Sequence, residues 1–406
     1  MISVITPTNN TRYLKETYDS LVGQTHTDWE WVVVPNGGAT WESEDPRVRI
    51  IPADFTGSIG GLKKFACRQA KGDILVELDH DDLLTPTALA QIAGAFEDGV
   101  GMVYSNCADF NADWSPHTFS PLYGWRYQEQ EFFGHKVQEA LAFPPNALSM
   151  ANIEFAPNHV RAWRAKTYWE VGGHDTSLPL ADDYDLCCRM YLQSTIRHIP
   201  ACLYLYRVHG DNTWLTNNST LVEASLARSD FYRAAIVKRW AELEGLPLID
   251  LGAQFGKPEG YTGVDLEGAD VTADLRDGLP FDDSSVGVVR ACDFLEHLPD
   301  KERTMNEIYR VLVPGGWLLS ITPSTDGRGA FQDPTHVSYW NENSFWYYTN
   351  RNYAAYAPRI KCRFQARRLT SFFPTDFHRT HNIPYVQADL VALKDGMGRV
   401  PGEVLI

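Results

Sequence analysis

The sequence predicts an α/β chain of two units, each built on an open, largely parallel sheet. Three observations predict it. Short β-branched or apolar runs alternate with stretches of helical spacing from Ile2 to Leu78, the rhythm of a parallel sheet with crossover helices. The same rhythm restarts near Leu246 after an interval that lacks it. The length of 406 residues corresponds to two or three domains.

The elements follow in order. Ile2–Ile5 reads as the first strand and Leu14–Val22 as a helix. The next strand begins at Trp29 or Trp31, ends at Val34 and is broken by Asn36-Gly37-Gly38. Leu62–Ala70 reads as a helix, and Ile74–Leu78 as a strand. From Asp109 to Phe143 the alternation lapses and Trp114, Trp125, Tyr127, Phe132 and Phe133 crowd the segment, which predicts an insertion or lid. Asp183–Leu192 is helical, and a helical connector runs from Leu221 to Leu243. The second unit has strands at Leu248–Leu251, Tyr261–Asp265, Val286–Ala291 and Trp317–Ile321, with an amphipathic helix at Glu302–Leu312. A βαβ crossover with its helix takes at least ~10–12 residues. The interval from Gly252 to Asp265 must also hold a turn and a strand, so Lys257–Gly260 is expected as a loop. The resulting division is residues 1–220, a connector at 221–245, and 246–406.

Composition narrows the function classes. The chain has 52 acidic against 36 basic residues, a formal charge of −16, which argues against general nucleic-acid binding. Seven cysteines are scattered without a CxxC pair. That pattern suits core thiols in a reducing compartment and predicts no zinc site. The first residues run straight into a strand, and no long apolar segment follows. A cytoplasmic chain with no transmembrane segment is expected, any membrane contact being peripheral.

The segment Asp73-Ile74-Leu75-Val76-Glu77-Leu78-Asp79-His80-Asp81-Asp82 places three acids at the end of an apolar strand. Ligands of open parallel sheets bind beyond the carboxyl ends of strands, and hard divalent cations take oxygen ligands shared with phosphates. A metal–diphosphate site and a solvated acidic turn both fit these residues. Ser3–Asn10, Ser20–Thr25, Trp31–Gly38, Ala70–Asp73 and Asp79–Asp82 occur in order, and as a set they resemble the family-2 glycosyltransferases of the GT-A fold. The resemblance covers roughly residues 1–215. It implies that Pro7, Thr8 and Asn10 line a nucleotide pocket. Asn36 stands where the family commonly has an acidic base contact, and Lys64 faces the donor or lies on a solvated helix face. Asp79 and Asp81 match the family's Asp-X-Asp motif, with Asp79 on the donor ribose and both at Mn²⁺ or Mg²⁺. His209, in Arg207-Val208-His209, stands where the family's late histidine touches the metal or diphosphate, or is a satisfied loop residue. Asp183, at a helix start after Gly172-Gly173-His174-Asp175, matches the base that deprotonates the acceptor hydroxyl. A helix N-terminus also favours Asp for its dipole alone. Asp185 and Arg189 read as an i,i+4 pair. The implied donor is a nucleotide-diphosphate sugar, UDP favoured, and the acceptor a glycan, lipid-linked or protein group.

In the second unit, Asp250-Leu251-Gly252, Val264-Asp265, Phe294-Leu295-Glu296-His297 and Arg310-Val311-Leu312-Val313-Pro314-Gly315-Gly316 resemble class I S-adenosylmethionine-dependent methyltransferases. The resemblance covers roughly residues 246–325. It implies Gly252 at the methionine end of the cofactor, Asp265 at its ribose, Asp274 at its adenine, and Asp293 near the sulfonium. His336 in Asp333-Pro334-Thr335-His336, or His297, would take a proton from a hydroxyl, though packing at a helix start is the stronger reading of His297. The implied enzyme transfers a sugar and methylates one, or transfers a sugar and carries a non-catalytic scaffold.

Overall fold

The computed structural model describes residues 1–55, 57–121, 124–151 and 156–398. It divides into two compact units, Met1–Ile236 and Val237–Ile406.

In the first unit, strand β1 (Ile2–Thr8) is buried at every position. It lies between β2 (Trp29–Pro35) and β4 (Ile74–Glu77), parallel to both. β3 (Val48–Ile50) extends this parallel group beyond β2. The apolar runs Val4-Ile5 and Trp31–Val34 are those of strands covered on both faces. Helix Ile59–Gln69 is started by Ser58, whose hydroxyl accepts the Gly61 N–H, the usual N-cap bond. The remaining strands are β5 (Leu83–Leu84), β6 (Val100–Asn111), β7 (Pro116–His117), β8 (Tyr127–Phe132), β9 (His135–Ala140), β10 (Arg161–Arg164) and β11 (Thr195–Val208). The spatial order is β3-β2-β1-β4-β10-β6-β11-β5, with β10 antiparallel to both neighbours. The order changes direction about β1, so the crevice lies beyond the ends of β1 and β4.

The aromatic segment is largely an antiparallel extension of this sheet. β8 and β9 form a hairpin attached to β6 through Cys107 and Ala108. Trp114 stacks on Phe110 and His135 at 4.5 and 4.2 Å between centroids, and Trp125 packs on Phe143 at 5.0 Å. These rings are spent on one another.

The predicted connector is helix Asn218–Leu243, and the division between units falls within it. Its first turns belong to the first unit: Ser229 donates to the Ala151 carbonyl and Tyr232 to Asp185.

The second unit contains β12 (Leu248–Leu251), β13 (Thr262–Asp265), β14 (Val271–Thr272), β15 (Val286–Cys292), β16 (Leu312–Pro323), β17 (Phe364–Phe372) and β18 (Tyr385–Ala392), in the order β14-β13-β12-β15-β16-β18-β17. All neighbours are parallel except β18, which is antiparallel to β16 and β17. Helix Lys301–Val311 is capped by Asp300 and buries Met305, Ile308 and Val311 on one face, an i, i+3, i+6 stripe. That stripe joins Ile249, Val289, Leu318 and Phe345 in the core. Residues 252–261 between β12 and β13 are turns and loop, as the short interval predicts. No helix among the described residues is long and apolar enough to cross a membrane.

Candidate functional site

The acidic turn after β4 is built around its last member. Asp82 is fully buried and accepts hydrogen bonds from the Tyr204 hydroxyl (2.7 Å) and the Arg207 N–H (2.6 Å). Burial, then the charges of Asp81 and Asp79, push its carboxyl well above the usual range. Arg207 clamps the turn: Nε donates to the Asp81 carbonyl at 2.8 Å and Nη2 to Glu16 at 2.7 Å. With Asp82 used as the anchor, the carboxylates of Asp79 and Asp81 remain for a ligand. His209, just past β11, brings Nε2 to 2.7 Å from Asp81 Oδ2. Two carboxylates and an imidazole suit Mn²⁺ and, through their oxygens, Mg²⁺.

The end of β1 meets the end of β2 at the same rim. Pro7 pairs with Val34, and the Asn36 N–H donates to the Thr8 carbonyl at 2.8 Å. The Thr8 hydroxyl donates to the Asn10 carbonyl at 2.7 Å. Pro7, Thr8, Asn10 and Asn36 are thus brought together. Lys64 is not part of this group; it lies near enough to Asp175 to act on its charge. Its neighbour Lys63 points inward instead, with its ammonium 3.6 Å from Glu77.

Asp183 stands in the first turn of helix Asp182–Gln193. Arg161 Nη1 holds its Oδ2 at 2.6 Å, and its Oδ1 accepts the Tyr184 N–H at 2.8 Å. Burial works against ionisation here, yet Arg161 and Lys63 bring the carboxyl down to about 2. Its neighbour Asp182 moves the other way, raised by burial. The two adjacent acids are thus pushed in opposite directions by their surroundings. Asp185 takes the predicted structural role, bound by Arg189 Nε and Nη2 at 2.9 and 2.6 Å.

Behind Asp183 lies an ionic network that the sequence reading missed. Glu77, 1% exposed at the end of β4, has Lys63 at 3.6 Å, Arg161 at 3.7 Å and His174 Nε2 at 2.8 Å. Burial alone would raise its carboxyl; Lys63, His174 and Arg161 outweigh burial and hold it low. Lys63 is desolvated, yet Glu77, Asp79, Asp182 and Asp183 together keep it charged. One cation thus acts on both Asp79 and Asp183. The available signal was Glu77, a charged residue within the apolar run Ile74–Leu78; Arg161, which opens the Arg-Ala-Trp-Arg strand, gave none. Another was a close helix approach at Gly60, where a Cβ would meet Asp182 at 2.8 Å.

In the second unit the crevice at the end of β12 is tighter. Gly252 has φ +80° and a Cβ there would meet the Phe294 ring at 2.6 Å. Its N–H donates to the Val264 carbonyl, which places it beside Asp265. Asp265 accepts the N–H groups of Gln254 (3.0 Å) and Leu266 (2.6 Å). Asp274, two residues past the strand partner of Asp265, is held by Arg276 Nε and Nη2 at 2.9 and 2.6 Å. Gly252 and Asp265 are adjacent, but both acids already have protein partners. Asp293 and His336 line a separate cavity of about 280 Å³ with Glu296, His297 and Tyr385.

Comparison with known proteins finds two family matches in the chain. Residues 3–155 match the family described as Glycosyl transferase family 2, and residues 251–320 match the family described as Methyltransferase domain. The chain is 25% identical over 245 residues to the chondroitin synthase of Escherichia coli, covering 56% of this chain and 33% of that protein. It is 26% identical over 225 residues to the hyaluronan synthase of Pasteurella multocida, covering 52% of this chain and 21% of that protein. It therefore spans a third or less of the length of these relatives. Among solved structures, S. aureus TarS 1–349 in complex with UDP-GlcNAc aligns with a TM-score of 0.44 at 16% identity, covering 60% of this chain and 71% of that one. A likeness at that score bears on no detail of the site. The chain thus joins a segment matching Glycosyl transferase family 2 to a segment matching a methyltransferase domain, each with its own α/β sheet.

Proposed function

We propose that the first unit transfers a sugar from a nucleoside-diphosphate donor, UDP favoured, to a hydroxyl of a glycan, lipid-linked or protein acceptor. The observation that carries this reading is Arg161, a buried cation 2.6 Å from Asp183 and 3.7 Å from Glu77, the last residue of the strand that runs into the acidic turn. It ties a site for the donor's diphosphate to a site for the acceptor's proton. Asp79, Asp81 and His209 would hold Mn²⁺ or Mg²⁺, which would neutralise charge on the departing diphosphate. Thr8, Asn10 and Asn36 would bind the nucleoside. Asp183, ionised beside Arg161, would take the proton as the acceptor oxygen bonds to the anomeric carbon and the nucleoside diphosphate leaves. A base opposite the leaving group gives inversion. Asp81→Ala is expected to reduce donor-dependent UDP release by at least ~100-fold, and a variant that keeps wild-type release would remove the acidic turn from the reaction.

For the second unit the proposal is S-adenosylmethionine-dependent methylation of a sugar hydroxyl. The cofactor would sit at Gly252, Asp265 and Asp274, with Asp293 and His336 on the acceptor side. The scaffold reading has specific support: Asp265 and Asp274 are already engaged by Gln254, Leu266 and Arg276. Calorimetric titration of the full chain with S-adenosylhomocysteine separates the two. Saturable binding weakened at least ~10-fold in Asp265→Ala is the expected result, since each 1.4 kcal/mol lost is tenfold in affinity. No binding by folded wild-type protein leaves the scaffold.

A further inference from the structure

The strongest unassigned cluster lies in the cavity of the second unit, where Glu296, His297 and His336 bring one ligand atom each within 4.8 Å of one another. The orientation of each side chain is informative. Nδ1 of His336 is 3.0 Å from the Ala330 carbonyl, and Nδ1 of His297 is 3.2 Å from the Thr335 carbonyl. A ring nitrogen facing a carbonyl carries the proton, so each neutral imidazole keeps its lone pair on Nε2. Imidazoles that donate one N–H to a backbone carbonyl and offer the other nitrogen are the usual form of metal-ligating histidine.

Glu296 completes the set. It is 2% exposed. Its Oε2 accepts the Thr322 hydroxyl at 2.6 Å, while Oε1 is buried with no hydrogen-bond partner, 3.9 Å from His336 Nε2. A buried carboxylate oxygen without a donor is costly and calls for a proton or a cation. The backbone fixes the pieces in place: the Val337 and Ser338 N–H groups both donate to the Glu296 carbonyl at 2.9 Å.

We propose that Glu296, His297 and His336 bind a divalent transition ion of the Zn²⁺ class, leaving one position open toward the cavity for water or a substrate hydroxyl. Two neutral imidazoles and one carboxylate are borderline ligands that favour Zn²⁺ over Mg²⁺, and three protein ligands with an open position are the pattern of catalytic zinc. Bonds of ~2 Å in tetrahedral geometry put ligand atoms about 3.3 Å apart, so small side-chain rotations close the present spacing. The cysteine pattern gave no sign of such a site because none of its ligands is a cysteine. His336 then acts by holding the ion rather than as a free base. An oxygen bound in the open position loses its proton more readily. The site stands whether or not the second unit transfers methyl groups.

The test uses the full chain carrying Asp81→Asn, which silences the metal site proposed in the first unit, after dialysis against chelator. Titration with Co²⁺ is expected to give intense visible bands saturating at one ion per chain, with Zn²⁺ displacing it and Mg²⁺ not. Adding Glu296→Gln or His336→Gln should weaken binding by at least ~100-fold. Zinc-edge X-ray absorption of the Asp81→Asn chain, with the second unit unaltered, should show two imidazoles in the first coordination sphere. Absence of stoichiometric Co²⁺ binding, unchanged affinity in folded His336→Gln protein, or an oxygen-only coordination sphere would each overturn the proposal.

Discussion

Replacing Asp183 by Asn is expected to lower acceptor-dependent sugar transfer by ~10²–10⁴-fold while leaving donor affinity near that of the wild type, the usual size of a general-base contribution. The amide keeps the shape of the side chain and still offers an oxygen to Arg161, 2.6 Å away in the wild type. What it loses is the ability to take a proton. Measurement needs two readouts: UDP release in the presence of glycan acceptors, and calorimetric titration with the donor. Transfer retained within tenfold would remove Asp183 from the chemistry. The pH profile supplies an independent check. The base form exists above the group's pKa, and with that value at about 2 the acid limb of the profile is not set by Asp183 at any ordinary assay pH. Arg161→Gln removes the partner that opposes burial. The Asp183 pKa then rises, and an acid limb that appears or shifts upward in this variant alone assigns that limb to Asp183.

What was legible in the sequence divides along physical lines. β1, β2, β4, β12 and β15 were readable because strands buried on both faces are short apolar runs, and their ends fell within a few residues of the observed ones. The loop crossover between β12 and β13 was readable because chain length limits what an interval can hold. The β8–β9 hairpin was not. Its strands are half-exposed runs rich in Gln and Glu, and its turn is Phe133-Gly134 with φ +52° and +78°. Two-residue hairpin turns with positive φ at both positions are ordinarily announced by Asn-Gly or Asp-Gly, and a phenylalanine there gives no local signal. In the site, Asp79, Asp81 and Asp183 stand at ends of elements, where a polar residue after an apolar run is conspicuous. Lys63 lies within a helix, Glu77 closes β4, Arg161 opens β10 and His174 lies in a turn, and their partners are chosen by tertiary packing. For the Lys63-Lys64 pair the sequence reading weighed Lys64 alone, facing the donor or on a solvated helix face, and did not consider Lys63. The helix's buried stripe of Leu62, Lys63, Ala66 and Cys67 would have indicated Lys63.

The network around Glu77 should also dominate the stability of the first unit. Glu77→Gln is expected to destabilise it by ~3–5 kcal/mol, the range for removing one partner of a buried ion pair. For a unit of this size that corresponds to a fall in melting temperature of roughly 6–20 °C by scanning calorimetry, at 2–4 °C per kcal/mol. The reason is the imbalance it leaves. Glu77 faces Lys63, Arg161 and His174 at 3.6, 3.7 and 2.8 Å; without its charge, Lys63 and Arg161 remain in a desolvated space and lose a carboxylate that both contact. Removing a cation together with the anion should cost less. Lys63→Met with Glu77→Leu leaves Arg161 on Asp183 and removes one cation with the anion, so the double variant is expected to melt above Glu77→Gln, a coupling that a double-mutant cycle measures directly. The pH dependence has a definite sign. Glu77 is held below the ordinary glutamate value, so its contribution is complete above the unfolded value of ~4.3 and is lost as the pH falls below it. Wild type and Glu77→Gln should therefore separate at neutral pH and converge in acid. Equal melting temperatures at pH 7 would mean that desolvation cancels the ion pairing. The network would then act through position, by holding Arg161 against Asp183, rather than through stability, and the loss in Glu77→Gln would appear in transfer rate alone.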